Sequence, residues 1–169
     1  MQLLQCPESG ELPDGVDSLP EMMQHAAEQG EQHQEKVAYT PPWVGYLAVI
    51  EGAVIEDPDG DSLIVVGGCG FKGPPTDQNE AAGLAPEPGV RRVEIAYFTL
   101  PDHEGQGHAT AMARELVRLS LEADSSVVVA AQTLREEGPS TSILKKLGFQ
   151  LHAELIHPED GEVWEWRVN

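Results

Sequence analysis

Residues 94–110 read Glu94-Ile95-Ala96-Tyr97-Phe98-Thr99-Leu100-Pro101-Asp102-His103-Glu104-Gly105-Gln106-Gly107-His108-Ala109-Thr110. The first part belongs to a run, Val90 to Leu100, that is largely apolar on both alternating faces, which predicts a central strand. Pro101 ends it. From Gly105 to Glu122 the apolar spacing changes: Ala109, Met112, Ala113, Leu116, Val117 and Ser120 recur at i, i+3 and i+4, the period of a half-buried helix. Arg114, Glu115, Arg118 and Glu122 take its wet face. A strand therefore feeds a helix through a glycine turn. The first N–H groups of a helix have no internal partner and the helix dipole is positive there, so such a turn suits an anion. Gly105 and Gly107 keep side chains away from that backbone. The same pattern also serves a plain strand-to-helix connection, and the turn alone does not choose between them.

Working outward, Val127–Ala131 predicts a short buried strand and Pro139–Leu147 a helix, with Ile143, Leu144 and Leu147 inward and Gly148 at its C-terminal cap. Phe149–Leu155 and Val163–Val168 read as two final strands turning through Pro158–Gly161, and Trp164 and Trp166 share one face, for core or subunit contact. On the N-terminal side, Leu63–Phe71 is a strand carrying glycines at 67, 68 and 70, which weaken it unless a bulge or a close neighbour needs them. Asp59-Gly60 tips the Glu56–Asp61 turn before it. Trp43–Ile50 follows Pro41-Pro42 as another strand, Leu3-Leu4 suits a short one, and Pro20 opens a helix over Glu21–Gln29 closed by Gly30. Gly73–Gly89, with four prolines, reads as a loop. The order predicts one α/β domain over residues 1–169, a mixed central sheet flanked by helices.

The 169 residues suit one core. No apolar run approaches the roughly 20 residues that span a bilayer, and the N-terminus lacks a signal-peptide pattern, which points to a soluble cytoplasmic protein with no membrane partner. Cys6 and Cys69 are too few for a disulfide framework and fit no zinc spacing. The net charge is −19, and the first 35 residues hold eight acidic residues and no Lys or Arg. Such a chain repels phosphate backbones, which argues against nucleic acid, and attracts cations such as amines; the same charge also serves plain solubility.

Three readings of the loop fail on residue identity. A Walker loop needs Gly-Lys-Ser/Thr, and His108 follows Gly107. A dinucleotide fingerprint needs a third small residue where Thr110 stands. His103 and His108 are five apart rather than four, with two glycines between, so they make no zinc-protease helix and no metal is implied. The segment instead resembles the acyl-CoA pyrophosphate loop of the GNAT superfamily of N-acetyltransferases. Gly68-Cys69-Gly70-Phe71-Lys72-Gly73-Pro74-Pro75 resembles that family's Gly-Phe strand. Val93-Glu94-Ile95-Ala96-Tyr97 resembles its central strand in the ribosomal-protein-acetylating branch, and Pro139–Phe149, ending Lys146-Leu147-Gly148-Phe149, its late helix. The resemblance covers residues 40–155, after a variable acidic part over 1–40.

The resemblance implies acetyl-CoA in a gap between two splayed parallel strands, Val93–Thr99 and Val127–Gln132. Backbone N–H groups of Glu104, Gly105, Gln106, Gly107, His108, Ala109 and Thr110 would hold the pyrophosphate. Phe98 and Thr99 would pair with the pantetheine arm, and Ser140 and Ile143 would flank its other side. Two positions depart from the family: Glu104 stands where Arg or Gln is usual, and Gly138 where Asn is common. Acetyl transfer to an amine needs a base, because an alkylammonium has a pKa near 10. Glu94, read as the lone charge of its strand, is the candidate base, burial raising its pKa; a solvated strand-end glutamate is the other reading. Ser140 is a candidate acid, or a helix-capping serine. Trp43 and Tyr46 line an acceptor pocket or pack in the core. Cys69 is expected as a small buried residue. The function implied is direct transfer of an acetyl group to a cationic primary amine, a small amine or a protein N-terminus, by a chain that forms a homodimer as relatives do. The alternative is an acyl-CoA-binding or regulatory module with little catalysis, and a third reading is an unrelated α/β fold holding a nucleotide on the same loop.

Overall fold

The computed structural model describes residues 1–24, 38–53, 61–77, 84–85, 87–157 and 160–169. Seven strands form one sheet: β1 (Gln2–Gln5), β2 (Gly45–Ala53), β3 (Asp61–Phe71), β4 (Arg92–Thr99), β5 (Val128–Leu134), β6 (Gln150–His157) and β7 (Gly161–Val168). Their order is β1-β2-β3-β4-β5-β7-β6. Every neighbouring pair is antiparallel except β4–β5. That parallel pair is crossed by α1 (His108–Ala123), reached through a short 3-10 turn at Pro101–His103. A second helix, α2 (Pro139–Lys146), links β5 to β6. The expected mixed α/β sheet is the observed one.

The period-2 alternation of the central strands gives the sheet two different faces. Val93 and Ile95 of β4, Val129 and Ala131 of β5 and Trp166 of β7 pack with Ala113 and Leu116 of α1 and Leu144 of α2. This is the larger core, and burying each of its Val, Leu and Ile side chains contributes roughly 1.5–3 kcal/mol. The opposite face is shared. Over β2 and β3 it carries Leu47, Val49 and Val65, covered by Val16 and Met23 of the N-terminal segment. Over β4, β5 and β7 it carries charge, described below.

Element boundaries shift by a few residues from those expected. β2 starts at Gly45 rather than Trp43, because residues 41–44 are turn. The strand expected at Val90 starts at Arg92, and β5 runs on to Leu134, since β7 pairs along its whole length from Val129 to Leu134. The first long helix begins at His108, not Gly105: Gly105 and Gly107 hold φ of 72° and 85°, the left-handed region that a helix cannot use. Residues 21–24 are helical as expected. The rest of that helix, the Glu56–Gly60 part of the first turn, part of the 73–89 loop and Pro158-Glu159 lie outside the described residues.

The glycines of β3 have a steric reason. A Cβ on Gly67 would stand 2.3 Å from the Phe98 carbonyl oxygen, and one on Gly70 would stand 2.8 Å from the Val44 carbonyl oxygen. Backbones on either side come too close for a side chain.

Candidate active site

The parallel ladder between β4 and β5 is three residues long: Arg92–Val128, Val93–Val129 and Glu94–Ala130. Beyond Glu94 the two strands part. β4 continues along β3 to Thr99, and β5 continues along β7 to Leu134. The expected splay is therefore present, and its apex is at Glu94.

Backbone direction along the open edge follows from two hydrogen bonds. Leu100 N–H donates to the Val66 carbonyl (2.9 Å) and Lys72 N–H to the Glu94 carbonyl (2.9 Å). Even-numbered residues of β4 thus turn their peptide groups to β3. Odd-numbered residues, Ile95, Tyr97 and Thr99, turn theirs to the gap. This corrects one expectation: the backbone of Phe98 is directed at Gly68, its partner in β3, and only Thr99 of the expected pair offers its peptide to the gap. Phe98 itself is exposed, and the Thr99 hydroxyl is buried without a hydrogen-bond partner.

At the other end of β4 the chain turns through Gly105-Gln106-Gly107 into α1. Gly107 is the N-cap and supplies no side chain to cap the helix. The N–H groups of His108, Ala109 and Thr110 have no intrahelical acceptor. A Cβ on Gly105 or Gly107 would meet nothing within 4 Å, so the loop surface in front of these N–H groups is open. That open, positively polarised cradle fits a pyrophosphate. Glu104 is exposed, which turns the unusual carboxylate to solvent. His108 is half-buried, and its Nε2 is buried without a hydrogen-bond partner. Burial, and then the His103 ring 6.4 Å away, push the pKa of His108 below the usual histidine value.

Glu94 is not the lone charge its strand suggested. Its carboxylate is buried and paired on both oxygens: Lys72 Nζ lies 2.7 Å from Oε1, and Arg92 donates to Oε2 at 2.7 Å. Arg92 also donates twice to Glu165, at 2.9 and 2.6 Å. Glu165, wholly buried on β7, accepts further bonds from Arg167 (2.8 Å) and Gln132 (3.1 Å). Arg167 reaches on to Glu87 through two bonds. Burial alone would raise the pKa of Glu165, but the hydrogen bonds and charge of Arg92, with Arg167 and Gln132, bring it below the usual carboxylate value. Arg92, Lys72 and Glu165 were missed by sequence reading. Arg92 and Glu165 are 73 residues apart and meet only when β7 inserts beside β5.

The remaining expected residues fall on the other face. Ser140 is exposed in the first turn of α2, and Ile143 packs against the larger core. Glu94 and Ser140 thus lie on opposite faces of the sheet. Gly138 is the N-cap of α2 in extended backbone, φ −169°. Thr141 closes the cap instead of an Asn side chain: its hydroxyl accepts from Gly138 N–H at 2.9 Å. Of the two readings for Trp43 and Tyr46, packing is the recorded one. Tyr46 is in the core with its hydroxyl donating to the Pro42 carbonyl (2.8 Å), and Trp43 stacks edge-on to Phe71 at 5.1 Å. Trp166 is core, with Trp164 edge-on to it at 6.1 Å. Cys69 is partly buried, and burial first, then the charges of Cys6 and Glu115, push its pKa up to about 12, so it is no thiolate nucleophile.

A sheet that splays beside a glycine turn and an open helix N-terminus forms a site suited to a phosphate-bearing ligand. The chain belongs to the GNAT acetyltransferase domain family, whose model matches residues 10–150. Among solved structures it is similar to an aminoglycoside acetyltransferase in complex with coenzyme A (18% identity, 75% of this chain and 65% of that one, TM-score 0.54). It is also similar to a mutant of the spermidine N-acetyltransferase from Vibrio cholerae (13% identity, 92% and 81%, TM-score 0.53). A GNAT-family acetyltransferase from Bacillus anthracis aligns over 73% of this chain at 15% identity and TM-score 0.48. This chain spans 64% of the length of that structure and 65% of the aminoglycoside enzyme. No curated protein matches significantly.

Proposed function

We propose that the chain transfers an acetyl group from acetyl-CoA directly to a cationic primary amine, a small amine or a protein N-terminus. The observation that carries this reading is the β4–β5 ladder, which stops at Glu94–Ala130 and opens toward the glycine cradle. Bound acetyl-CoA would supply an activated acetyl thioester. The N–H groups of His108, Ala109 and Thr110 would take its pyrophosphate charge, and the gap-facing peptides of Tyr97 and Thr99 would orient the pantetheine arm. α1 and α2, which pack on one face of the sheet, would wall the gap on that side.

Glu94, at the apex and on the opposite face, is the group we assign to take a proton from the acceptor ammonium, directly or through water. Its buried partner Arg92 holds the carboxylate in place. The acceptor class is supported by charge. Glu8, Glu11, Asp14, Asp17 and Glu21 are all exposed on the N-terminal segment, part of which covers the Glu94 face of the sheet. A field of this sign gathers cations. Two of the three named structural neighbours, an aminoglycoside and a spermidine acetyltransferase, also act by name on amine compounds.

The test is calorimetric titration with acetyl-CoA and with ATP, followed by free-thiol release over an amine panel. Acetyl-CoA binding without ATP binding, with thiol release that needs an amine, supports the reading. Binding without thiol release would favour a regulatory acyl-CoA-binding module, the reading that Glu104 and Gly138 motivate. No acetyl-CoA binding overturns both.

A further inference from the structure

We propose that the Lys72 ammonium occupies the position of the acceptor amine and is displaced by it, so that Lys72 selects for unhindered primary alkylammonium acceptors. The inference rests on Glu94 being the base. A base must lie within hydrogen-bond reach of the amine it deprotonates, so the acceptor nitrogen has to come close to the Glu94 carboxylate. Lys72 Nζ is already there, 2.7 Å from Oε1.

The two cations on Glu94 are not equivalent. Arg92 is 5% exposed and also binds Glu165, which is wholly buried, so its departure would strand a second carboxylate. Lys72 is 48% exposed, and Glu94 is its one ion-pair partner among the described residues. Its side chain can swing into water, where an ammonium is well hydrated. The vacated oxygen then accepts another ammonium, and the buried carboxylate keeps its pairing. An exchange of like for like costs little. A tertiary or quaternary amine carries bulk at nitrogen that the lysine ammonium lacks, so the slot favours a primary amine on an unbranched chain.

Lys72 is a tethered competitor. A group on a short flexible tether acts at an effective concentration on the order of millimolar. A monoamine with no other contact must therefore reach about that concentration, and acceptors that work below it need a second contact elsewhere. Removing the tethered ammonium removes the competition.

The experiment uses the full chain loaded with CoA, titrated calorimetrically with n-propylamine, the segment that Lys72→Ala deletes, and with n-propanol as the uncharged control. Lys72→Ala and the uncharged Lys72→Met should each bind n-propylamine at least tenfold more tightly than the parent, with no gain for n-propanol. With acetyl-CoA present, the KM for n-propylamine should fall at least tenfold, by more than any change in kcat. Unchanged n-propylamine affinity in both variants, with CoA still bound, overturns the role of Lys72 and leaves the acetyltransfer reading standing. A fall in kcat with unchanged KM would mean that Lys72 only steadies Glu94, and also overturns it. Failure of the parent chain to bind CoA removes the underlying reading and the inference with it.

Discussion

Replacing Arg92 by methionine removes the hub of the buried charge network while keeping an unbranched apolar stem. Arg92 makes three charge-assisted hydrogen bonds, two to Glu165 and one to Glu94, and is 5% exposed. Glu94 keeps Lys72 and Glu165 keeps Arg167 and Gln132, but both carboxylates lose their shared cation. Breaking a buried pair from one side costs about 3–5 kcal/mol, because a buried charge is left undercompensated. For a chain of this size the loss corresponds to roughly 6–20 °C in Tm. Urea unfolding at pH 7 reads it as a lower midpoint at unchanged slope. Adding Glu165→Gln, which discharges the stranded carboxylate, should recover a large part of the loss. The acid limb should change too. The folded-state pKa of Glu165 is lowered, so its stabilisation is present above the ordinary carboxylate value of about 4.3 and vanishes as pH falls through the folded value. Arg92→Met should flatten that limb. A single substitution costing under about 1 kcal/mol, or a double no better than the sum of its singles, would refute the reasoning.

Gly107→Ala forces an L-residue to φ 85° with no clash, and should cost about 1–2 kcal/mol in thermal unfolding; by crowding the cradle it should also weaken acetyl-CoA in calorimetry at least tenfold. Gly67→Ala puts a Cβ 2.3 Å from a backbone oxygen of β4, and should destabilise by about 1–3 kcal/mol or more and broaden β4 amide resonances, whereas an unperturbed Tm would contradict the contact. His108 should titrate by NMR below the usual histidine value of about 6.5; as the folded pKa is the lower one, the chain loses stability as pH falls below that value, and His108→Phe should remove this dependence. Gly138→Asn, at an extended N-cap with free space around its Cα, should raise stability by a few tenths of a kcal/mol and tighten acetyl-CoA.

The sequence of strands and the two long helices along the chain was legible because its signals are local. A strand, Pro101, two glycines and a 3.6-residue period lie within thirty residues or so of each other, and the burial of Met112, Ala113, Leu116 and Ser120 follows that period. The N-terminal cradle was legible for the same reason. The surroundings of Glu94 were not. Its partners come from the residue that follows β3, from the start of its own strand and, through Arg92, from β7, and no local pattern announces such a meeting. Glu165 sits between two tryptophans, where period-2 alternation suggests an outward, wet position; the far side of the sheet is instead closed by ion pairs. Phe98 was misassigned for a subtler reason. Side-chain alternation is visible in sequence, but which residues turn their peptides toward the gap depends on the register with β3.

The insertion of β7 between β5 and β6 sets an order for biosynthesis. β5 and β6 are not hydrogen-bonded to one another; each waits for a strand that leaves the ribosome after both. Until then the growing chain holds a four-stranded antiparallel half and an unfilled slot, and Arg92 waits for a counter-charge 73 residues downstream. Such late, non-local closure is slow and exposes strand edges. A nascent chain stalled before Gly161 should therefore remain sensitive to protease across β5 and β6, and gain protection only when the final strand emerges.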